Sequence, residues 1–112
     1  MMLDKFKNAF RGLWVGFLDS SIRIQLVCMV LAILACVVIR VELMDFILVM
    51  IVSCMVVALE FVNTVIERIM DFVNPSYDDR VKDIKDMSAA FVLIASFGAL
   101  LVAAYIGVKY FL

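Results

Sequence analysis

The chain opens with apolar residues at Leu3, Phe6, Phe10, Leu13, Trp14, Phe17 and Leu18. They follow a helical i, i+3, i+7 stripe, while Asp4, Lys5, Lys7, Asn8 and Arg11 fall mostly elsewhere. The pattern predicts an amphipathic helix over residues 1–18. Its Trp and Phe residues and its basic face suit a membrane interface. A signal peptide is the competing reading. It fits poorly, because the aromatic stripe is periodic and no clear small-residue cleavage site follows.

Three longer apolar runs follow. Leu26 to Ile39 carries no charge, and with Ile22 and Val41 it reaches about 20 residues, enough to span a bilayer. Arg23, Gln25 and Arg40 sit near its ends, where long side chains snorkel. After a short turn with Glu42 and Asp45, the chain is apolar from Phe46 to Leu59. It then turns polar on one side, at Glu60, Asn63, Thr64, Glu67, Arg68 and Asp71. One continuous helix is predicted there, spanning about 46–66 and stopped by Pro75. Ser76, with an acid three residues later, resembles an N-cap for the last helix. A charged stretch from Arg80 to Asp86 leads into the uncharged run Met87–Val108, a third span. The expected fold is an all-α membrane protein: one domain over residues 1–112, with a surface helix and spans at about 22–41, 46–66 and 87–108.

Composition narrows the class. Of 112 residues, 67% are hydrophobic and only 19% are charged. So small a chain cannot hide that much apolar side chain, which excludes a soluble monomer. It also excludes disorder, which needs low hydrophobicity and high charge. A net charge of −1 offers no basic field, so no nucleic-acid partner is expected. With no His in the chain, His-based zinc sites, triads and proton shuttles are excluded. Cys28, Cys36 and Cys54 lie in apolar runs without CxxC spacing and read as packing residues. There is no GxxxxGK[ST] and no GxGxxG, so the common soluble kinase and ATPase folds are out. Eight of the ten basic residues lie in the N-terminal segment or the loop between the last two spans. The positive-inside rule then puts the N-terminus in the cytoplasm.

The candidate chemistry sits on the second span. Glu60, Asn63, Glu67 and Asp71 are spaced 0, +3, +7 and +11 and fall within roughly an 80° arc of a helix. Such a stripe of carboxylates repels itself and needs cations, whether a divalent metal, lysines or both. Paired carboxylates with open geometry suit Mg²⁺ carrying a phosphate substrate. Lys82 and Lys85 open the next helix and offer charge for phosphate. Glu67 and Asp71 can also be read as a solvated helix end pairing with Arg68 or Lys82, because exposed ion pairs are common. Glu60 is harder to read that way, since a carboxylate at the edge of an apolar run is costly in lipid. Without further resemblance, the residues define a small helical membrane protein with an acidic, metal-binding site at the cytoplasmic interface, and no particular reaction.

The stretch ALEFVNTVIERIMDFVNPSYDDRVKDIKDMSAAFVLIA resembles the prokaryotic diacylglycerol kinase family, which includes undecaprenol kinases. The family pattern E-x-x-N-[ST]-x-I-E-x-x-x-D is met by Glu60, Asn63, Thr64, Ile66, Glu67 and Asp71 without a gap. Lys85-Asp86 and Val92-Leu93 match the family's K-D and V-L. Near the N-terminus, Ala9-Phe10-Arg11-Gly12-Leu13, Asp19 and Arg23-Ile24 are similar to A-[WF]-x-G-[LI] followed by an acid and R-[IQ].

The resemblance implies a homotrimeric membrane kinase with shared active sites. It would transfer the γ-phosphoryl of ATP, with Mg²⁺, to the hydroxyl of a membrane lipid, and would reside in the bacterial inner membrane. Carried over, Glu60 is the general base, Asp19 and Glu67 are metal ligands, and Asn63, Glu67, Asp71, Lys85 and Asp86 belong to the nucleotide site. Tyr77 and Asp78 fall in the loop that meets the nucleotide. The surface helix and first span would hold the lipid. Asp19 stands where the family usually has Glu, with one residue fewer after Gly12, and Ser20 is the other candidate for that position. Phe91 replaces a small residue of the third span. Diacylglycerol and undecaprenol are both open as acceptors. Asp71-Phe72-Val73-Asn74-Pro75 and Gln25 look more like the undecaprenol branch. A non-catalytic membrane assembly that uses the acidic stripe is the alternative from another class, and Lys85-Asp86 at the family spacing argues against it.

Overall fold

The computed structural model describes all 112 residues, most of them in four helices: α1 (Met2–Phe17), α2 (Ser20–Ile39), α3 (Leu43–Val73) and α4 (Asp79–Phe111). The last three are long and apolar enough to cross a membrane. At 1.5 Å per residue, α2 is about 30 Å long and matches a hydrocarbon core, whereas α3 and α4 run to about 46–50 Å. Both therefore project beyond the apolar layer. Their projecting ends meet at the α3–α4 connection, beside α1.

Local chemistry fixes the joints. Asp19 is the N-cap of α2, with Oδ1 accepting from the backbone N–H of Ser21 at 3.0 Å and of Ile22 at 3.4 Å. The cap starts α2 at Ser20, two residues before the apolar pattern does. Arg40 closes α2 in the left-handed region (φ 62°), and the N–H groups of Arg40 and Val41 both return to the Cys36 carbonyl. Pro75 follows the end of α3 directly, as expected. The N-cap of α4 corrects the sequence reading: it is Asp78, not Ser76, and Asp78 accepts from the backbone N–H of Arg80 at 2.8 Å. Ser76 is held instead by Asn74, whose Oδ1 accepts from the Ser76 hydroxyl at 2.7 Å. An Asn two residues upstream outcompetes the helix for the serine, which is the behaviour of an Asx turn.

Packing is inverted relative to a soluble domain. Only 11 of 112 residues are buried, and five of them are polar or charged: Asp45, Glu60, Asn63, Thr64 and Ser88. The apolar core is correspondingly small, centred on Cys36, Val49 and Ile106. The stripe of α1 is exposed throughout, Trp14 and Phe10 included. Apolar surface on this scale must be covered by lipid or by further copies of the chain. All three cysteines are free, and only Cys36 is buried.

One glycine fixes how α1 docks. Gly16 is buried against the Phe61 ring of α3, and a Cβ there would run into that ring. Gly12 faces open space. Gly16→Ala is therefore expected to destabilise the protein by about 1–3 kcal/mol through overpacking. Gly12→Ala should be neutral or stabilising by up to about 1 kcal/mol from helix propensity. Unfolding in mixed detergent micelles checks the pair, and equal behaviour of the two variants would remove the Gly16–Phe61 contact from the account.

Candidate active site at the α1 end of the bundle

The buried face of α3 carries Asp45, Val49, Val56, Glu60, Asn63 and Thr64. The apolar members lie deep in the span. Glu60, Asn63 and Thr64 lie toward the end that carries α1 and the α3–α4 connection, and Asp45 lies at the opposite end. Glu60 is buried at 6% exposure, one helical turn before Asn63 on the same face. No cationic side chain pairs with Glu60. Asn63 is fixed from the other side, because its Oδ1 accepts from the Ser88 hydroxyl of α4 at 2.6 Å. Ser88 is almost fully buried, and its small side chain lets α3 and α4 approach closely. The sequence reading passed over Ser88. The signal was present in its place two residues after Lys85-Asp86 and in its small size.

One turn further along α3, Glu67 is half-buried and has neither a hydrogen-bond nor a salt-bridge partner. Asp71 is exposed and bonds the Lys85 ammonium of α4, so the expected lysine does reach the acidic stripe. Lys82 does not. It pairs along its own helix with Asp86 at 2.6 Å. Arg68 pairs with neither Glu67 nor Asp71, and its guanidinium faces Asp19 Oδ2 at 4.0 Å. That contact brings Asp19, at the α1–α2 joint, to the side of α3 that bears Glu60 and Glu67. Glu67 and Asp19 both act on Glu60 as like charges. The structure thus brings together Asp19, Glu60, Asn63 and Glu67, with Asp71 and Lys85 one turn outward.

The loop residues stand apart from this group. Asp78 spends one oxygen on the α4 cap and pairs with Arg80 at 3.0 Å. The Arg80 guanidinium, and then its N–H, hold the Asp78 carboxyl below the usual carboxylate range. The Tyr77 side chain is exposed, and its hydroxyl donates to Asp79 at 2.8 Å. That bond raises the phenol above its ordinary value. Both residues are engaged locally, with Asp79 and Arg80 at the start of α4.

The donor set can be tested against a metal ion. No three acidic or cysteine side chains converge closely enough to bind an ion by themselves. Zinc and calcium cages are poorly served by such a set. Mg²⁺ is commonly held by one or two carboxylates, with phosphate oxygens and water completing the shell. Glu67, unpartnered and half-buried, with the Asp19 Oδ2 oxygen that is not bonded to the cap, matches that requirement.

Four helices, three of them able to span a membrane, and a buried carboxylate–amide cluster where two spans leave the apolar layer define a small integral membrane protein with a polar site at one interface. The family described as prokaryotic diacylglycerol kinase matches residues 7–107. This chain belongs to that family. A diacylglycerol kinase of Synechocystis is 31% identical over 103 residues, which cover 90% of this chain and 59% of the relative. The chain therefore spans well under two thirds of the length of that curated relative.

Proposed function

We propose that the protein phosphorylates the hydroxyl of a membrane lipid at the expense of ATP, with diacylglycerol, converted to phosphatidate, as the first candidate acceptor. The observation that carries this reading is Glu60, a buried carboxylate without a cation, beside the Asn63–Ser88 pair at the interface end of a span in a chain of this family. A base at that depth can meet a lipid hydroxyl held at the same level. Glu60 takes the hydroxyl proton as the oxygen attacks the γ-phosphorus in line, and the bond from that phosphorus to the β–γ bridging oxygen breaks to release ADP. Asn63, oriented by Ser88, keeps the carboxylate directed. Lys85 offsets phosphate charge, with Asp71 holding the ammonium in place until substrate arrives. Asp86, Tyr77 and Asp78 border the nucleotide. Glu67 and Asp19 would hold Mg²⁺, which would supply charge neutralisation on the phosphate oxygens. The surface helix α1 lies in the cytoplasmic interface of the bacterial inner membrane and, with the first span, covers the lipid. The bias of basic residues supports the same orientation.

Undecaprenol is the second acceptor considered, on the sequence Asp71–Pro75 and on Gln25 of α2, which lines the apolar cavity between the spans. Labelled ATP offered with defined lipids in mixed micelles decides between them. Label is expected in phosphatidate when diacylglycerol is present. Label in undecaprenyl phosphate alone would reassign the acceptor, and none in either would return the chain to a non-catalytic role.

The assembly is proposed to be a homotrimer whose sites are shared. A protomer with so few buried residues leaves Glu67 and the acidic stripe open on one side. Crosslinking in mild detergent is expected to yield trimer as the limiting species. A fully active monomer would sink that part of the proposal.

A further inference from the structure

A second polar cluster lies at the opposite end of the bundle and has no part in the site above. Asp45, on the first turn of α3, is 4% exposed. Its Oδ1 accepts from the Tyr105 hydroxyl at 2.9 Å, and its Oδ2 accepts from the Lys109 ammonium at 2.9 Å and from the Tyr110 hydroxyl. Tyr110 also accepts the backbone N–H of Glu42 at 2.8 Å, and Lys109 reaches Glu42 Oε2 at 3.2 Å. The Lys109 ammonium lies 5.6 and 5.5 Å from the centres of the Tyr105 and Tyr110 rings. Three side chains of α4 thus converge on one carboxylate of α3. A buried charge that is removed from its partners is strongly destabilising, so the geometry admits one rotation of α3 at this end.

Asp45 and Glu60 share the buried face of α3, fifteen residues and about 22 Å apart along the axis. Between them α3 meets α2 and α4 through apolar contacts alone, the Cys36, Val49 and Ile106 core among them. A cavity of about 470 Å³ opens among α2, α3 and α4, and α4 lines it with the small residues Ser96, Ala99, Ala103 and Gly107 and with larger apolar ones that include Val102 and Ile106. These contacts are apolar and non-directional, and they set the rotation of α3 less sharply than hydrogen bonds do. The anchors are at the ends: Asp45 at one, Asn63 on Ser88 at the other. We propose that Asp45, clasped by Tyr105, Lys109 and Tyr110, is a positioning residue that sets the rotation of α3 and thereby aims Glu60 and Asn63 from the far side of the membrane. The inference rests on the kinase reading for its effect on rate, but not for its effect on helix register.

The test separates the two. In chains with Cys28, Cys36 and Cys54 replaced by Ala, Asn63→Cys with Ser88→Cys reports register through the rate of disulfide formation, which demands specific geometry. Adding Asp45→Asn is expected to slow that oxidation several-fold, and Tyr105→Phe, a milder change that keeps the carboxylate paired, to slow it less. In the otherwise unaltered protein, Asp45→Asn should lower kcat for lipid phosphorylation by about 10- to 100-fold, the scale of a small misplacement. KM for MgATP should stay within twofold. A merely structural role would lower the amount of folded protein and leave kcat per folded molecule alone. If Asp45→Asn does not fold, Tyr105→Phe carries both measurements. Unchanged oxidation rates overturn the proposal, as does slowed oxidation with unchanged kcat. Should the unaltered protein phosphorylate no lipid, the kinase reading fails by itself and the oxidation rates still decide the register.

Discussion

Glu67→Gln is expected to raise the Mg²⁺ concentration needed for half-maximal lipid phosphorylation by at least about tenfold. Side chains that merely support metal ligands are worth about 10–100-fold in affinity, so loss of a charged ligand should do no less. Glu67 is suited to this test because it has no other partner in the structure, and the amide breaks no ion pair. Asp19 is the more demanding case. Its carboxylate caps α2 and faces Arg68. Asn caps a helix as well as Asp does, so Asp19→Asn should leave α2 intact while removing the charge. The expected result is a Mg²⁺ shift in the same direction as for Glu67→Gln. A Mg²⁺ titration of Asp19→Asn that superimposes on the unaltered protein would limit Asp19 to cap and ion pair, and would move the second ligand elsewhere.

Period and charge made much of this molecule legible. The i, i+3, i+7 stripe gave α1, and the uncharged runs gave the three spans, because a helix in lipid has to satisfy its backbone internally whatever its neighbours are. Glu60, Asn63 and Glu67 were readable as one face, since helical spacing alone brings such residues into line. Boundaries were less legible. Asp19 and Asp78 start their helices by capping, and which of several Ser, Asp or Asn residues takes the cap depends on local competition that spacing does not reveal. Asn74 holding Ser76 is the instance here.

The partners across helices were the hardest to read. That Lys85 would meet Asp71 while Lys82 would turn to Asp86 depends on how α4 rotates against α3. Ser88 was overlooked because a serine in a small-residue run looks like spacing, not chemistry. Asp45 looked like part of a polar turn. Its burial arises from Tyr105, Lys109 and Tyr110, more than fifty residues away, and no local pattern announces such a cluster. Lys109 read only as a charge at the end of a span.

The largest effect is expected at Glu60. Glu60→Gln retains size and hydrogen-bonding capacity toward Asn63 but cannot accept the proton of a lipid hydroxyl. Loss of a general base costs about 10²–10⁴-fold in rate, and kcat should fall by that order. MgATP binding should persist, because the residues proposed for it lie further along α3, on α4 and at the α1–α2 joint, and oligomer formation should persist because the amide keeps the size of the side chain. Stability supplies an independent sign. Glu60 is buried without a cation and beside the like charges of Glu67 and Asp19. A neutral amide relieves both the desolvation and the repulsion. The variant should therefore resist thermal unfolding at least as well as the unaltered protein while being nearly inactive. A residue that serves packing alone would show the reverse, lower stability with activity retained per folded molecule. On the proposed reading, catalysis is the reason to keep an unpaired carboxylate at that depth, and a Glu60→Gln protein that phosphorylates lipid at a near-normal rate would remove both the base and the reading built on it.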